Sequence, residues 1–524
     1  MSKLRVTVIL CLMAVFMVHA LPSFAQDFYI QGSNEARWAD GREVLGDDDV
    51  VKRYFEDRLN LNMYYGNIRI GSRFTLLQPS EFGEYQTDVN TLDKRFIEYS
   101  DPDANVNLRI GNFYSVWGRG LGLALIEDIL QGFDSGLDGM QAQVGIGDFE
   151  VEGLSGRSEA GYLGQVQDAR VSAGRVEYFG PYNTTLGGQG MLVTPVEDDV
   201  LSYAESRTWA GHAAWDGPSV SLWTEYAKED IEGVKDTHDA FYASGSWYAG
   251  RFSLFADYKR YQYYVYPGGA STGGSVYAAS VDILPFHSPP IGQREFTSPL
   301  LSKHPHTVRF DDEVGFQIEG SYNISGANTV TVNYSQSSSF IENELYMPSL
   351  DEEDSPYRQV FAEFTGYPTM DWYLTAWGGW DEDLVYTIEG GGAVRARSSW
   401  TRRAVAGIGS EYQLADDWSV KVSTEGGSVE EVTAEETSIE TLTILGATWR
   451  QQYSLSVVLE TAEQDPNQPD KTSWVKAEFA AFVANRHELL LTVGEERGGL
   501  VCTSGKCRVV APFDGVKLTF TSIF

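Results

Sequence analysis

The chain has 524 residues and a formal net charge of −35, which excludes a general nucleic-acid binder, since such proteins present a basic footprint. Aromatic residues reach 13 %, with 53 Gly and 3 Cys, the profile of a large all-β protein and not of a disulfide scaffold.

The first residues read as an export signal. MSKLR is basic, residues 6–21 form an uncharged apolar run, and Ser23-Phe24-Ala25 places small residues at a cleavage site before Gln26. Cys11 sits inside this run, without the small residues before it that a lipoprotein site needs. Residues 1–25 are therefore expected to leave, and 26–524 to form one domain. No later stretch approaches the ~18 consecutive apolar residues of a transmembrane helix.

From Phe28 onward the period is two. Leu59, Leu61, Met63 and Tyr65 alternate with Arg58, Asn60, Asn62 and Tyr64, and Ile68, Ile70 and Phe74 alternate with Arg69, Gly71 and Arg73. The pattern returns at Val314–Tyr322, Val330–Tyr334, Trp418–Val422, Tyr453–Leu459 and Val475–Val483. Tight turns fall near 66, 102, 147, 181, 217, 250, 325, 368, 415, 451 and 486. Between them lie longer polar connections such as GREVLGDDD, AKEDIEGVKD, YMPSLDEEDSP and EEVTAEET. Short turns on one rim and long loops on the other, with both ends on the short side, predict a closed antiparallel transmembrane barrel of about 24 strands. Aromatic residues beside the turns, among them Tyr64, Trp215, Trp247, Tyr412 and Trp449, suit an interfacial girdle. Strands ~4.8 Å apart and tilted ~40° give such a barrel a diameter of about 48 Å, more than wall side chains can fill.

The last strand, GVKLTFTSIF, puts Val516, Leu518, Phe520 and Phe524 on one face. This tail resembles the C-terminal signal of bacterial outer-membrane barrels, which the barrel-assembly machinery reads as a terminal aromatic residue after alternating apolar positions; Ser522 departs from the pattern. GNFYSVWGRGLGL (111–123) and GGLVCTSGKCRVVAPFDG (498–515) resemble a family of uncharacterised outer-membrane barrels of Bacteroidota type, from about residue 28 to 524. The resemblance implies a barrel in outer-membrane lipid and lipopolysaccharide. It implies no activity.

Candidate functional residues follow from the alternation. Arg58, Arg69, Arg73, Arg109, Arg175, Glu177, Glu225, Asp257, Glu319, Glu363, Lys421 and Glu425 are expected to line the lumen, which a water-filled wall or a wall neutralised by cross-strand pairs would both show. Acidic runs at Asp47, Asp48 and Asp49, at Asp351, Glu352, Glu353 and Asp354, at 381–383 and at 430–436 are expected in the outward loops. Segment 118–139 loses the period, and reads either as a hairpin packing on itself or as a loop folded into the lumen. Segment 265–311, with six prolines, is longer than ordinary connections and is a candidate lid or internal plug. Cys502 and Cys507 flank a four-residue spacer in an exported chain, which predicts a disulfide.

Chemistry is sparse. Gly269-Ala-Ser271-Thr-Gly273 matches a nucleophile elbow only formally, because a Gly/Ser loop surrounds it. His304 and His306 lack the further ligands a metal site needs. The expectation is a non-enzymatic, cofactor-free, porin-like channel for polar solutes with a weak cation preference. The rivals are a non-conducting surface platform or adhesin, a transporter plugged by an accessory chain, and a secreted soluble β-protein.

Overall fold

A computed structural model describes residues 28–45, 48–82, 89–162, 165–196, 205–235, 238–265, 284–294, 298–388, 395–465, 468, 470–503 and 506–524. The expected signal peptide, Asp47 and the first part of segment 265–311 lie outside them.

Twenty-four long strands, from Phe28–Leu45 to Phe513–Ile523, form one antiparallel barrel. Each pairs with the next, and the ring closes where Ser33–Glu43 pairs with Ile523–Phe513. Alternation produces this directly. Side chains on a strand point to opposite faces, so the apolar positions emerge on the outside: Trp209, Ile110, Ile146 and Leu222 are each more than half exposed there. The other face carries charged side chains and is the lumen. All eleven expected turns join neighbouring strands, and both ends of the described chain lie on that rim. The aromatic residues beside the turns stack across strands: Tyr29 on Tyr64 at 4.5 Å, Trp449 on Tyr453 at 5.4 Å, Trp247 against Phe252 at 5.7 Å.

Two stretches expected as loops are strand instead, and a third holds a shorter turn than expected. Residues 41–45 and 48–49 pair in the first hairpin as far as Leu45↔Asp48, so Asp48 and Asp49 begin a strand. Residues 381–383 lie inside strand Trp372–Ile388, and 430–436 contain only a four-residue turn between the paired Glu431 and Glu436. Strands that rise beyond the lipid have water on their outer face. A polar run there breaks the apolar alternation without breaking the strand.

The lumen holds an inner layer. After Phe113 the chain turns inward; Ser115–Trp117 pairs with Leu123–Leu125, and Glu127–Asp128 with Phe133–Asp134. Trp117, Leu121, Leu123 and Leu125 are at most 1 % exposed. They pack on inward wall residues such as Leu154, Val171 and Ala227. Burying each such side chain is worth roughly 1.5–3 kcal/mol. The first part of segment 118–139 is thus a loop folded onto the wall, whereas Phe133–Asp134 and Leu137–Gly139 pair within it.

Candidate functional site: the lined lumen

Described residues of the long connection, 284–294 and 298–312, run along the inner wall. At one end this strap meets the inward loop: Ala124 N–H donates to the Phe286 carbonyl at 2.7 Å, and Ser288 N–H to that of Gly120 at 3.1 Å. Tyr263 Oη donates to the Leu121 carbonyl at 3.0 Å, and Tyr261 Oη to that of Pro290 at 2.8 Å. Arg294 then reaches two wall carboxylates, Glu319 at 2.6 Å and Glu363 at 3.0 Å. A short helix, Pro299–Ser302, inserts Leu300 and Leu301 among Phe361, Val405 and Leu442. Glu425 of the wall accepts from Ser298 Oγ at 2.7 Å, Leu300 N–H at 2.8 Å and Trp377 Nε1 at 3.1 Å. The carboxylate thereby takes up a backbone donor that the start of a helix leaves free.

Further along, Lys303 pairs with Glu460 and Arg403 donates to the His304 carbonyl. Burial pushes the Lys303 ammonium below its ordinary pKa, against the attraction of Glu460. His306 is buried and stacks on Tyr357 at 4.1 Å, between Asp383 at 3.0 Å and Glu313 at 3.5 Å. Burial by itself would lower its pKa, but the Asp383 and Glu313 carboxylates raise it to about 9. Glu313 also holds Lys259 at 2.6 Å. Beside the strap lies a cleft of about 280 Å³, lined by Lys303, His304, Asp383, Arg403, Asp465 and Arg497. Arg497 is nearly buried and pairs with Glu440 at 2.7 Å, Glu460 at 3.2 Å and Asp465.

The residues expected in the lumen occupy its wall in different ways. Arg58 pairs with the buried Glu56 at 2.9 Å. Arg69 and Arg109 share Glu98 at 3.1 and 3.5 Å, with Phe96 beneath both guanidinium groups. Arg73 reaches Glu127 of the inward loop at 2.6 Å. Arg175 binds Glu150, Glu152 and Glu177 at 2.8, 2.8 and 3.1 Å, and Glu177 also meets His212 at 3.3 Å. Glu225 accepts from Arg119 N–H at 2.6 Å, and Asp257 from Gln317 and Tyr242 at 3.0 and 3.3 Å. Lys421 is exposed on the same face.

The acidic groups divide. Asp351, Glu352 and Glu353 are exposed at the loop rim, whereas Asp354 is buried and accepts from Asn343 at 2.6 Å. Asp381 is fully buried against Arg403 at 2.7 Å, and Asp383 holds His306, so neither belongs to the rim. Cys502 and Cys507 stand directly opposite each other in the hairpin Gly499–Thr503/Lys506–Val510. Phe520 faces outward, and Phe524 exchanges backbone hydrogen bonds with Gly32 at 2.8 and 3.0 Å. Among the described residues, no group of three or more His, Cys, Asp or Glu is arranged to hold a metal ion. Sequence reasoning missed Arg294, Lys303, Arg403 and Arg497. The partners of each lie more than twenty residues away in the chain, and no local spacing marks it.

A family described as "Family of unknown function (DUF6029)" has a model that matches residues 1–524, and the chain belongs to it. No curated protein matches the sequence. Among solved structures the chain is similar to the copper transporter OprC, with TM-score 0.42 and 11 % identity over 96 % of this chain and 82 % of that one. It is also similar to the siderophore receptor PirA from Pseudomonas aeruginosa, with TM-score 0.42 and 10 % identity over 96 % and 81 %. The translocation pore of the P pilus usher PapC gives TM-score 0.45 and 11 % identity over 94 % and 99 %.

Proposed function

We propose that this DUF6029 chain is an outer-membrane channel for polar solutes, its passage narrowed by the inward loop and the strap. The observation that carries the reading is the luminal face: inside a barrel about 48 Å wide, partly exposed charged networks such as Arg69–Glu98 and Arg175–Glu150 stand on the inner wall, while the exposed apolar residues of the strands face out. A wall of that width leaves room for solvent, and alternating charge suits the passage of polar molecules. The strap acts as a lid or internal plug, held along the inner wall by ion pairs around Arg294, Lys303 and His306 and by the buried Leu300 and Leu301. Exposed Asp351, Glu352 and Glu353 give the loop rim a weak preference for cations. The reading includes export through a cleaved leader, insertion by the assembly machinery, contact with lipopolysaccharide and no catalytic step.

A second reading is favoured by one observation: Trp117, Leu121, Leu123 and Leu125 fill luminal space as a packed core would. On that reading the barrel is a non-conducting platform for an accessory or surface subunit. Planar-bilayer recording of the refolded protein decides between them. Stepwise, ohmic conductance in KCl supports the channel, and a silent bilayer with heat-modifiable, folded protein supports the platform.

A further inference from the structure

Among the described residues, one seam of the wall is not closed by a backbone ladder along its full length. Between strands Val89–Asp101 and Val106–Phe113 the ladder holds six pairs, from Phe96↔Gly111 to Asp101↔Val106. The next shortest ladders between neighbouring long strands hold eight. Gly111 lies at φ +101°, and a Cβ there would meet the Arg95 carbonyl at 2.2 Å. Only glycine lets the strand approach this closely and then turn away. Past that point Arg95 N–H bonds to the Asn112 side chain at 2.8 Å in place of a strand. Among the described residues, Val89–Arg95 has a ladder on the Ile68–Leu77 side alone.

The height of this gap matters. A strand tilted ~40° climbs about 2.5 Å per residue. Arg95 stands opposite Ser72 and Val89 opposite Leu77, while the turn is at Gly66 and Asn67. The gap therefore lies roughly 13 to 25 Å above the turn rim, in the far half of an apolar band about 25 Å tall. Its free edge carries Asp93, Lys94 and Arg95 and an irregularity opposite Arg73/Phe74, features that oppose addition of a strand from another chain.

Side chains latch the gap from within. Arg73 pairs with Glu127 at 2.6 Å and Lys94 with Asp134 at 2.5 Å. Both cations belong to long wall strands, and both carboxylates belong to the hairpin 127–134, whose Phe133–Asp134 is held to Gly161–Tyr162 of the wall by two backbone pairs. Moving that hairpin toward the lumen breaks its two pairs to Gly161–Tyr162, takes the carboxylates with it and leaves Arg73 and Lys94 at the opening, with Asp93 as their remaining near carboxylate. Leu92, Ile97, Ile110 and Met140 flank the gap outside, 39 to 67 % exposed. Inside, Phe113, Trp117, Leu123 and Leu125 belong to one buried apolar cluster.

We propose that the seam is a lateral portal between the lumen and the outer half of the bilayer, with hairpin 127–134 as its gate and a long-chain carboxylate as its ligand. The acyl chain lies against the apolar cluster, and the carboxylate replaces Glu127 and Asp134 on Arg73 and Lys94. This route is separate from conduction along the barrel axis.

The test is photolabelling of the protein in lipid nanodiscs with palmitic acid bearing a mid-chain diazirine, followed by peptide mapping. Label is expected on Phe113, Trp117 or Leu125. It should rise several-fold in the Glu127→Gln/Asp134→Asn variant, which frees the cations. It should disappear when Lys94→Cys and Asp134→Cys, in a Cys502→Ser/Cys507→Ser background, are bridged by a bis-maleimide in the folded protein, whereas axial conductance persists. Label confined to Leu92, Ile97 and Met140 in every variant means annular lipid only and overturns the portal. Equal luminal labelling by the matching hexadecanol probe overturns the carboxylate assignment.

Discussion

Gln131 Nε2 donates to the Val501 carbonyl at 3.3 Å, across 370 residues of chain. The contact joins the loop that follows Phe113 to the hairpin Gly499–Thr503/Lys506–Val510. Arg497, just before that hairpin, ties it to the wall through Glu440, Glu460 and Asp465. Removing one partner of a buried ion network costs about 3–5 kcal/mol, because the carboxylates stay buried without it. Arg497→Met should therefore lower the urea midpoint of the refolded barrel clearly. Adding Glu440→Gln and Asp465→Asn should restore much of the loss. A midpoint unchanged by Arg497→Met would show that the network contributes nothing.

Docking of the strap should depend on pH through His306. Its pKa is raised to about 9 by Asp383 and Glu313, above the ordinary histidine value. The sign follows from linkage: the charged form stabilises the docked state fully below about pH 6.5, and this contribution, on the order of 3 kcal/mol, is lost as pH rises through about 9. Lys259, Arg403, Asp381 and Tyr357 also face the site. Limited proteolysis between residues 298 and 312 should accelerate from pH 7 to pH 10 and level off above that. His306→Gln should flatten the profile. A wild-type rate that is constant across that range would contradict the assignment.

The facing positions of Cys502 and Cys507 make a bridge across the hairpin the expected state of the exported chain. The loop it closes is short, so its gain should fall below the ~3 kcal/mol of a 15-residue loop. Alkylation of the denatured, unreduced protein should find no free thiol. Two modified cysteines per chain would refute the bridge.

Closure of the barrel puts the Phe524 ring where a side chain at residue 32 would be. A Cβ on Gly32 would lie 2.5 Å from that ring. Gly32→Val should consequently lower the yield of heat-modifiable barrel, as should deletion of Phe524. The double change should be less than additive, since both act at one contact. Full assembly of Gly32→Val would mean the contact is dispensable.

Ion selectivity should follow the exposed rim. Neutralising Asp351, Glu352 and Glu353 together should reduce a modest cation preference, and raising the salt should do the same, because the Debye length is about 10 Å at 0.1 M. Asp381→Asn should leave the preference intact, since its carboxylate is buried against Arg403. Reversal potentials in a KCl gradient measure both. Anion selectivity would transfer control to a constriction inside the lumen.

The sequence alone determined the barrel, its strand number and its rims. Those features are local: side-chain alternation has a period of two, turns have their own chemistry, and each strand pairs with the next. It also determined which charges face inward, as Arg175 beside Val176 illustrates, because a face follows from parity. It did not determine where strands end above the lipid. Asp381 and Asp383 read as loop because polarity and chain reversal look alike once water replaces lipid on the outer face. The inner layer was decided by tertiary structure. Trp117, Leu121 and Leu123 keep no period, and whether such a loop packs on itself or on the wall depends on Leu154 and Val171, supplied by later strands. The gap beside Val89–Arg95 belongs to the same level: Gly111 is visible in the sequence, but the Arg95 carbonyl that occupies its missing side chain's place is brought there only by the closed ring.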